Sequence, residues 1–376
     1  MKNFGLSILI FAGAIFSAHA NIEDDLQSAS IGYMITDLKS GNTVADYNSD
    51  KLLVPASILK TVTVAAALDR LSDDFRYTTG IFSDGIICND TITGNLYIEG
   101  SGDPTLESNL INAIKNYPIS HVRGNLTTNA QCPEINHIWM VEDIGTDYGV
   151  GWCHLNYKNN EILMNEECHA SDLDAILADI SFDLSLSDIT VGKEEISTDS
   201  ARILIATIQS PRLIDLCSEL MHKSINLYAE AVGRALSVER NAPDGLKTVK
   251  EYLLNLGCSE SSFRLKDFCG LARTNLISPR ALINVLSSNA RNKSFVSTFP
   301  AAGKEGTVKR LLSKTPLSGR IVAKSGSMDG ILAYAGYKLD STGKPSHAFV
   351  IMVNNAIIPT SSLRMQIEKW FMKYFS

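Results

Sequence analysis

Ser57 and Lys60 stand three residues apart at the head of a largely apolar run, Ser57-Ile58-Leu59-Lys60-Thr61-Val62-Thr63-Val64-Ala65-Ala66-Ala67-Leu68. On a helix, positions i and i+3 share a face, so the Lys60 amine can reach the Ser57 hydroxyl. A serine hydroxyl is a weak nucleophile at neutral pH and needs an adjacent base. A lysine desolvated among apolar neighbours, its pKa lowered to roughly 7–8, can be that base. The chemistry on offer is attack by Ser57 while Lys60 takes its proton. Alone the pair says little, because Ser341-Thr342-Gly343-Lys344 repeats the spacing in a Gly/Pro-rich turn with no helix behind it.

Two further short motifs carry polar groups that such a reaction needs. Ser224-Ile225-Asn226 lies just before a long amphipathic stretch, and Lys324-Ser325-Gly326 ends a strand-like run. Each has a double, Ser287-Ser288-Asn289 and Lys39-Ser40-Gly41. Setting separates the members. Only Ser57, Ser224 and Lys324 fall in turn at a helix start, on a loop between helices and on a late strand.

The elements that must hold these residues are legible in outline. Pro55 favours an extended residue before it and a helix start after it. Segments 30–36 and 42–47 alternate as a hairpin that leads straight into the Ser57 helix. From about Phe75 the texture changes to short strands with Gly and Asn turns: 77–81, 94–99, 122–126 and 153–157, around the compact loop Gly100-Ser101-Gly102-Asp103-Pro104. We therefore expect an inserted, mainly β domain over 75–197, with 21–74 and 198–376 forming the domain that carries the motifs. A strand over 201–208 and helices over 211–222, 226–237, 246–256 and 279–287 follow. Strands over 321–324, 333–338 and 348–354 come next. The last segment puts Leu363, Ile367, Trp370, Phe371 and Tyr374 on one helical stripe, which suits a core helix better than a membrane-surface anchor because it mixes Glu368 with few basic residues.

Composition narrows the classes. The 376-residue chain is 45% hydrophobic with a net charge of −7 and a pI of about 5.6, which argues against nucleic acid and against an electrostatic hold on anionic lipid. Met1–Ala20 has a basic n-region (Lys2), an apolar h-region over 5–16 and an Ala18-His19-Ala20 cleavage site, as in a signal peptide. The expectation is an exported protein, periplasmic or secreted, with no integral membrane span once that segment is removed. The seven cysteines (Cys88, Cys132, Cys153, Cys168, Cys217, Cys258 and Cys269) include no C-x-x-C, and no H-x-H or H-E-x-x-H accompanies them, so neither zinc nor another cofactor is expected. A Cys258–Cys269 bridge and buried free thiols both stay open.

The ordered set Ser-x-x-Lys, Ser-x-Asn and Lys-[Ser/Thr]-Gly resembles that of penicillin-binding proteins and serine β-lactamases. Within them the mature chain is similar, over essentially its whole length, to the D-alanyl-D-alanine carboxypeptidase/endopeptidase family, the class C low-molecular-weight penicillin-binding proteins (peptidase family S13). The further marks are Pro55-Ala56-Ser57-Ile58-Leu59-Lys60-Thr61, the run Leu96 to Leu106 with its Gly-Asp-Pro loop, and Asn275-Leu276-Ile277-Ser278-Pro279. The resemblance implies an α/β (α+β) transpeptidase-like fold, an antiparallel sheet flanked by helices, with the insertion beside it. It implies hydrolysis of peptidoglycan stem peptides through a Ser57 acyl-enzyme, with β-lactam antibiotics as acylating inhibitors and no nucleic-acid partner.

It also implies roles. Ser224 passes a proton towards the leaving amine, Asn226 binds the substrate amide, and Lys324, Ser325, Gly326 and Ser327 surround the terminal carboxylate. Backbone N–H groups of Ser57 and Ser327 form an oxyanion hole, and Asp143, Arg273 and Asp329 fall near the side chain of the substrate's third residue. Three departures stand out. The family's Asp-Gly-Ser-Gly-Leu-Ser-Arg is Asp267-Phe268-Cys269-Gly270-Leu271-Ala272-Arg273 here, Lys-Thr-Gly is Lys-Ser-Gly, and the insertion is short. A class A β-lactamase would need a Glu-x-x-x-Asn base after Ser-x-Asn, whereas Glu161-Ile162-Leu163-Met164-Asn165 precedes it. A non-catalytic peptidoglycan binder of the same fold would have no need of Ser57, Lys60, Ser224, Asn226 and Lys324 together.

Overall fold

The computed structural model describes residues 21–376 apart from 118, 131–135, 137, 159, 161–169, 192–201 and 241–243. The Met1–Ala20 reading, the Glu161–Asn165 match, Cys132 and Cys168 lie outside the described residues. After helix α1 (Ile22–Asp25), the hairpin β1 (Ser30–Asp37) and β2 (Thr43–Tyr47) runs into a 3-10 turn, Ala56–Leu59, and helix α2 (Lys60–Arg70). Strands β3 (Thr78–Ser83), β4 (Ile86–Cys88), β5 (Thr91–Thr93) and β6 (Leu96–Glu99) follow. Then come α3 (Leu106–Lys115), β7 (His121–Thr128), α4 (Ala170–Asp183), β8 (Ser187–Val191) and β9 (Ile203–Gln209). The chain continues with α5 (Leu213–Lys223), α6 (Asn226–Arg240), α7 (Gly245–Asn255), β10 (Phe263–Arg264), β11 (Leu276–Ile277), α8 (Pro279–Asn289) and α9 (Lys293–Ser297). It ends with β12 (Ile321–Met328), β13 (Ile331–Leu339), β14 (Pro345–Asn354) and α10 (Thr360–Phe375).

A five-stranded antiparallel sheet, in the order β12-β13-β14-β1-β2, joins the two ends of the chain, with Ser30 opposite Asn354. Both of its faces are covered. Ala348, Val350 and Met352 of β14 point into a core shared with α2, α5, α6, α7 and α8, and Phe349, Ile351 and Val353 point into a second core under α10. Strands buried on both faces read as continuous apolar runs rather than alternating ones, which is how β14 is spelled. The α10 stripe packs on this second face: Leu363, Ile367, Trp370 and Phe371 are buried there, so the helix is part of the core. Each such side chain contributes about 1.5–3 kcal/mol by leaving water. Among the described residues, no helix is long and apolar enough to cross a membrane.

The stretch between α2 and α5 builds a separate seven-stranded sheet, β4-β5-β7-β6-β3-β9 with β8 on β7, over its own core. Helices α3 and α4 supply Leu106, Leu110, Ile176, Leu177 and Ile180 to that core, so it is less purely β than expected. Strand β9 hydrogen-bonds β3 from Ile203–Ser83 to Gln209–Thr78, so the sheet reaches beyond residue 197.

The expected strand over 153–157 is irregular instead. Side-chain amides take the place of a ladder there: Asn156 Oδ1 accepts from Cys153 N, Asn160 Oδ1 accepts from Tyr157 N, and Asn156 Nδ2 donates to the Gly102 carbonyl, at 3.0–3.1 Å. Cys88, Cys217, Cys258 and Cys269 carry free thiols. Cys258 turns to the Ala281 carbonyl on α8 while Cys269 lies beside Lys60, and the bridge reading is set aside.

Candidate active site

Lys60 is fully buried and makes three short contacts. Its Nζ lies 2.9 Å from Ser57 Oγ, 2.6 Å from Asn226 Oδ1 and 2.7 Å from the Cys269 carbonyl. The local cause is the 3-10 turn, in which residues i and i+3 eclipse and so stack the hydroxyl on the amine. Ala56 enters the turn with φ of 49°, a left-handed conformation that costs a non-glycine residue of order 1 kcal/mol. Against it packs Gly270, whose φ is 86° and whose hypothetical Cβ would sit 2.0 Å from the Ala56 carbonyl oxygen. Backbone meets backbone here, which is why the Cys269-Gly270 turn can bring its carbonyl to Lys60.

Ser224 caps α5 in the left-handed conformation (φ 64°), its N–H returning to Leu220, and α6 begins two residues later at Asn226. The reversal aims Ser224 at the sheet and Asn226 at Lys60. Asn226 is fixed at both ends, since its Nδ2 donates to the Tyr148 carbonyl (2.8 Å).

On β12, Val322 and Lys324 share the face that looks onto α2. Lys324 is fully buried, with Nζ 2.8 Å from Ser224 Oγ and 2.7 Å from the Ser325 carbonyl. Gly326 lets the strand pass over the serine turn, because a Cβ there would meet Pro55 O at 2.7 Å and Ser57 N at 3.1 Å. β12 is an edge strand, and its Ala323 N–H points outward to Pro300 O (3.0 Å). Backbone groups repeat every second residue along a strand, so the Ser327 N–H faces the same open edge. Ser325 Oγ pairs with Thr307 Oγ1 at 2.7 Å, a hydroxyl the sequence reading did not name.

Burial pulls the Lys60 amine below its ordinary value, against the pull of Cys269, Asp267 and Glu230, which favour the charged form. Burial holds Lys324 well below its ordinary value too, and the charge of Lys60 adds to that. Neutral, Lys60 can keep Asn226 and Cys269 O as acceptors and receive the Ser57 proton along the third contact. Among the described residues Lys324 pairs with a hydroxyl and a carbonyl rather than a carboxylate, so an arriving anion would favour its charged form.

Asp143, Arg273 and Asp329 lie on three different segments: the 136–151 stretch, the turn after Asp267, and the β12–β13 hairpin. Among the described residues their side chains carry no hydrogen bond or ion pair with one another or with Ser57. The doubles lie elsewhere as turn and helix-end formers. Asp340 Oδ1 accepts from Thr342, Asp37 Oδ1 accepts from Ser40, and Asn289 donates to Tyr252 OH. Sequence reasoning passed over Glu230 and Trp139 and quoted Asp267 only within the 267–273 run, with no role. Glu230 follows Asn226 by one helical turn, a spacing that could have found it. Trp139 had no local signal; its indole donates to Asp267 Oδ2 across 3.0 Å, which only the packing of the insertion produces.

The sequence profile of the D-Ala-D-Ala carboxypeptidase 3 (S13) family matches residues 14–167 and 173–373. The chain is similar to D-alanyl-D-alanine carboxypeptidase DacB of Haemophilus influenzae, 25% identical over an alignment of 426 positions, gaps included, that spans 90% of this chain and 88% of that protein. It is also similar to carboxypeptidase DacB of Mycolicibacterium smegmatis, 26% identical over 86% of this chain and 76% of that protein. Among solved structures, penicillin binding protein 4 of Haemophilus influenzae shares the fold with a TM-score of 0.79 at 22% identity, covering 94% of this chain and 98% of that one. A penicillin G-acylated predatory endopeptidase of Bdellovibrio bacteriovorus does so at 0.64 and 16%, covering 92% and 93%.

Proposed function

The chain belongs to the D-Ala-D-Ala carboxypeptidase 3 (S13) family of serine-type hydrolases, and on that footing we propose how its residues work. The protein cleaves D-Ala-D-Ala-type bonds of peptidoglycan stem peptides, as carboxypeptidase or endopeptidase, and is acylated by penicillin. The observation that carries the assignment is the meeting of two serine–lysine pairs, Ser57–Lys60 at 2.9 Å and Ser224–Lys324 at 2.8 Å.

Ser57 attacks the carbonyl and Lys60 takes its proton. The N–H groups of Ser57 and Ser327 hold the oxyanion, each such donor lowering the barrier by about 2.7–4 kcal/mol. Ser224 relays a proton to the leaving amine, and Asn226 orients the substrate amide. Lys324 with Ser325 and Ser327 receives the terminal carboxylate, whose charge draws a proton onto Lys324. Domain limits near residues 76 and 210 keep β9 with its sheet. Met1–Ala20 supports export to the periplasm or beyond.

Release of D-alanine from a D-Ala-D-Ala-terminated peptide, or cleavage of a cross-linked stem-peptide dimer, each blocked by penicillin, tests the activity; neither reaction by the folded protein removes the reading. Lys324→Ala should depress turnover of the free-carboxylate peptide at least tenfold more than that of its C-terminal ester. Equal losses would make Lys324 part of the proton relay alone.

Asp143, in the 136–151 stretch of the insertion, faces the free amine of a diamino acid at the third stem position in this reading. A partly desolvated charged hydrogen bond contributes about 1.5–3 kcal/mol, or tenfold to a hundredfold in selectivity. Asp143→Asn should therefore slow a diaminopimelate stem peptide by that factor and leave penicillin acylation unchanged. A parallel fall in both would give Asp143 a structural role.

A further inference from the structure

Beneath Lys60 lies a group of acids that the three motifs do not include. Glu230 of α6 is 4% exposed, and its Oε1 accepts from Phe268 N (3.0 Å) and Cys269 N (3.1 Å), the turn whose carbonyl holds Lys60. Asp267, 2% exposed, accepts four N–H bonds, from Gly270, Ala272, the Asn275 amide and the Trp139 indole, at 2.6–3.0 Å. Ligand atoms of Glu230, Asp267 and Cys269 all fall within 4.8 Å of one another, but the Asp267 oxygens are already met by N–H donors rather than left open for a metal. What remains is buried negative charge beside a buried amine.

We propose that Glu230 is a positioning residue that sets the pH at which Lys60 becomes a base, by holding the Cys269 turn against it and lending it negative charge. The inference rests on the Ser57–Lys60 reading above. The groups that bear on Lys60 come from every element packed against it: Glu230 from α6, Asp267 and Cys269 from the turn, and Lys324 from β12, with Arg234 of α6 acting on Glu230. Burial first, and then Asp267, push the Glu230 carboxyl up to about 7. Its charge therefore comes and goes in the range where Lys60 must work.

The sign follows from Coulomb's law. An ionised Glu230 favours the protonated Lys60, so neutralising Glu230 lets Lys60 release its proton at lower pH. Glu230→Gln keeps the shape and an oxygen for the two backbone donors but removes the charge. The readout is the second-order rate of acylation by labelled penicillin from pH 4 to 9. Expected is a downward move of the acid limb by about one unit, seen as roughly tenfold faster relative acylation on the limb. A limb left in place, or moved upward, overturns the proposal.

If the Glu230→Gln protein does not fold, Glu230→Met removes the same charge at similar volume and should move the limb downward likewise; a limb left in place there overturns the proposal. Wild-type protein that takes no label on Ser57 at any pH would instead overturn the underlying active-site reading.

Discussion

Labelled benzylpenicillin leaves no covalent adduct on the Ser57→Ala protein, while the wild type takes one per chain, on Ser57. The loss should be complete, because Ser57 carries the hydroxyl that Lys60 reaches. The Ser57 side chain is only partly buried, and among the described residues its hydrogen bond is to Lys60. Its removal therefore costs about 0.5–1.5 kcal/mol of stability at most, and the variant should melt within a few degrees of the wild type. Intact mass followed by a peptide map reads the result. An adduct on Ser341 would sink the assignment, as would stoichiometric labelling of the alanine variant. The geometry already disfavours Ser341, which sits in a turn where Asp340 ties down Thr342 and Lys344.

Lys60→Met should slow acylation by about 10²–10⁴-fold, the range general base catalysis supplies. Methionine keeps most of the stem volume, so the core of α2 stays filled. It strands Asn226 Oδ1 and the Cys269 carbonyl, each a buried acceptor worth about 1–3 kcal/mol when unpaired, so a lowered melting temperature accompanies the rate loss. The pH profile separates the two effects. In the wild type, acylation falls as pH drops and Lys60 takes up a proton, and burial places that fall below the ordinary lysine range. The methionine variant should lose that limb altogether. A residual rate within tenfold of wild type, with the limb intact, would transfer the base role to another group.

Much of this site is spelled locally. Ser57 and Lys60 are three apart on one turn of helix, Ser224 and Asn226 flank a reversal between two helices, and Lys324 ends a strand. Periodicities of about three and of two lie in consecutive residues, and so do the apolar runs that become β14 and α10. The same local spelling appears in Ser341–Lys344 and Lys39–Gly41, however, and nothing within those few residues says that they form turns at the far ends of hairpins.

Other features were out of reach for a similar reason. Helices α3 and α4 carry apolar spacing, Leu106–Leu110 and Ile176–Ile180, but they interrupt a stretch whose Gly and Asn turns speak for strands. The 153–157 segment has strand-forming residues, yet Asn156 and Asn160 satisfy its backbone and no ladder forms. The Cys258–Cys269 spacing allows a bridge, but the Cys258 thiol turns to the Ala281 carbonyl and the Cys269 thiol lies with Glu230 and Asp267.

What the sequence determined by itself is therefore the chemistry of each short motif and the element that carries it. What the tertiary structure decided is which motifs meet: Lys324 with Ser224 across the sheet edge, Asn226 with Lys60, Glu230 with the Cys269 turn, and Trp139 with Asp267. Those contacts join residues up to 166 positions apart. Their geometry is set by strand order and by the glycines that let backbones touch. It is set too by buried charge whose strength depends on what lies around it, and none of these is a property of a residue and its neighbours in the chain.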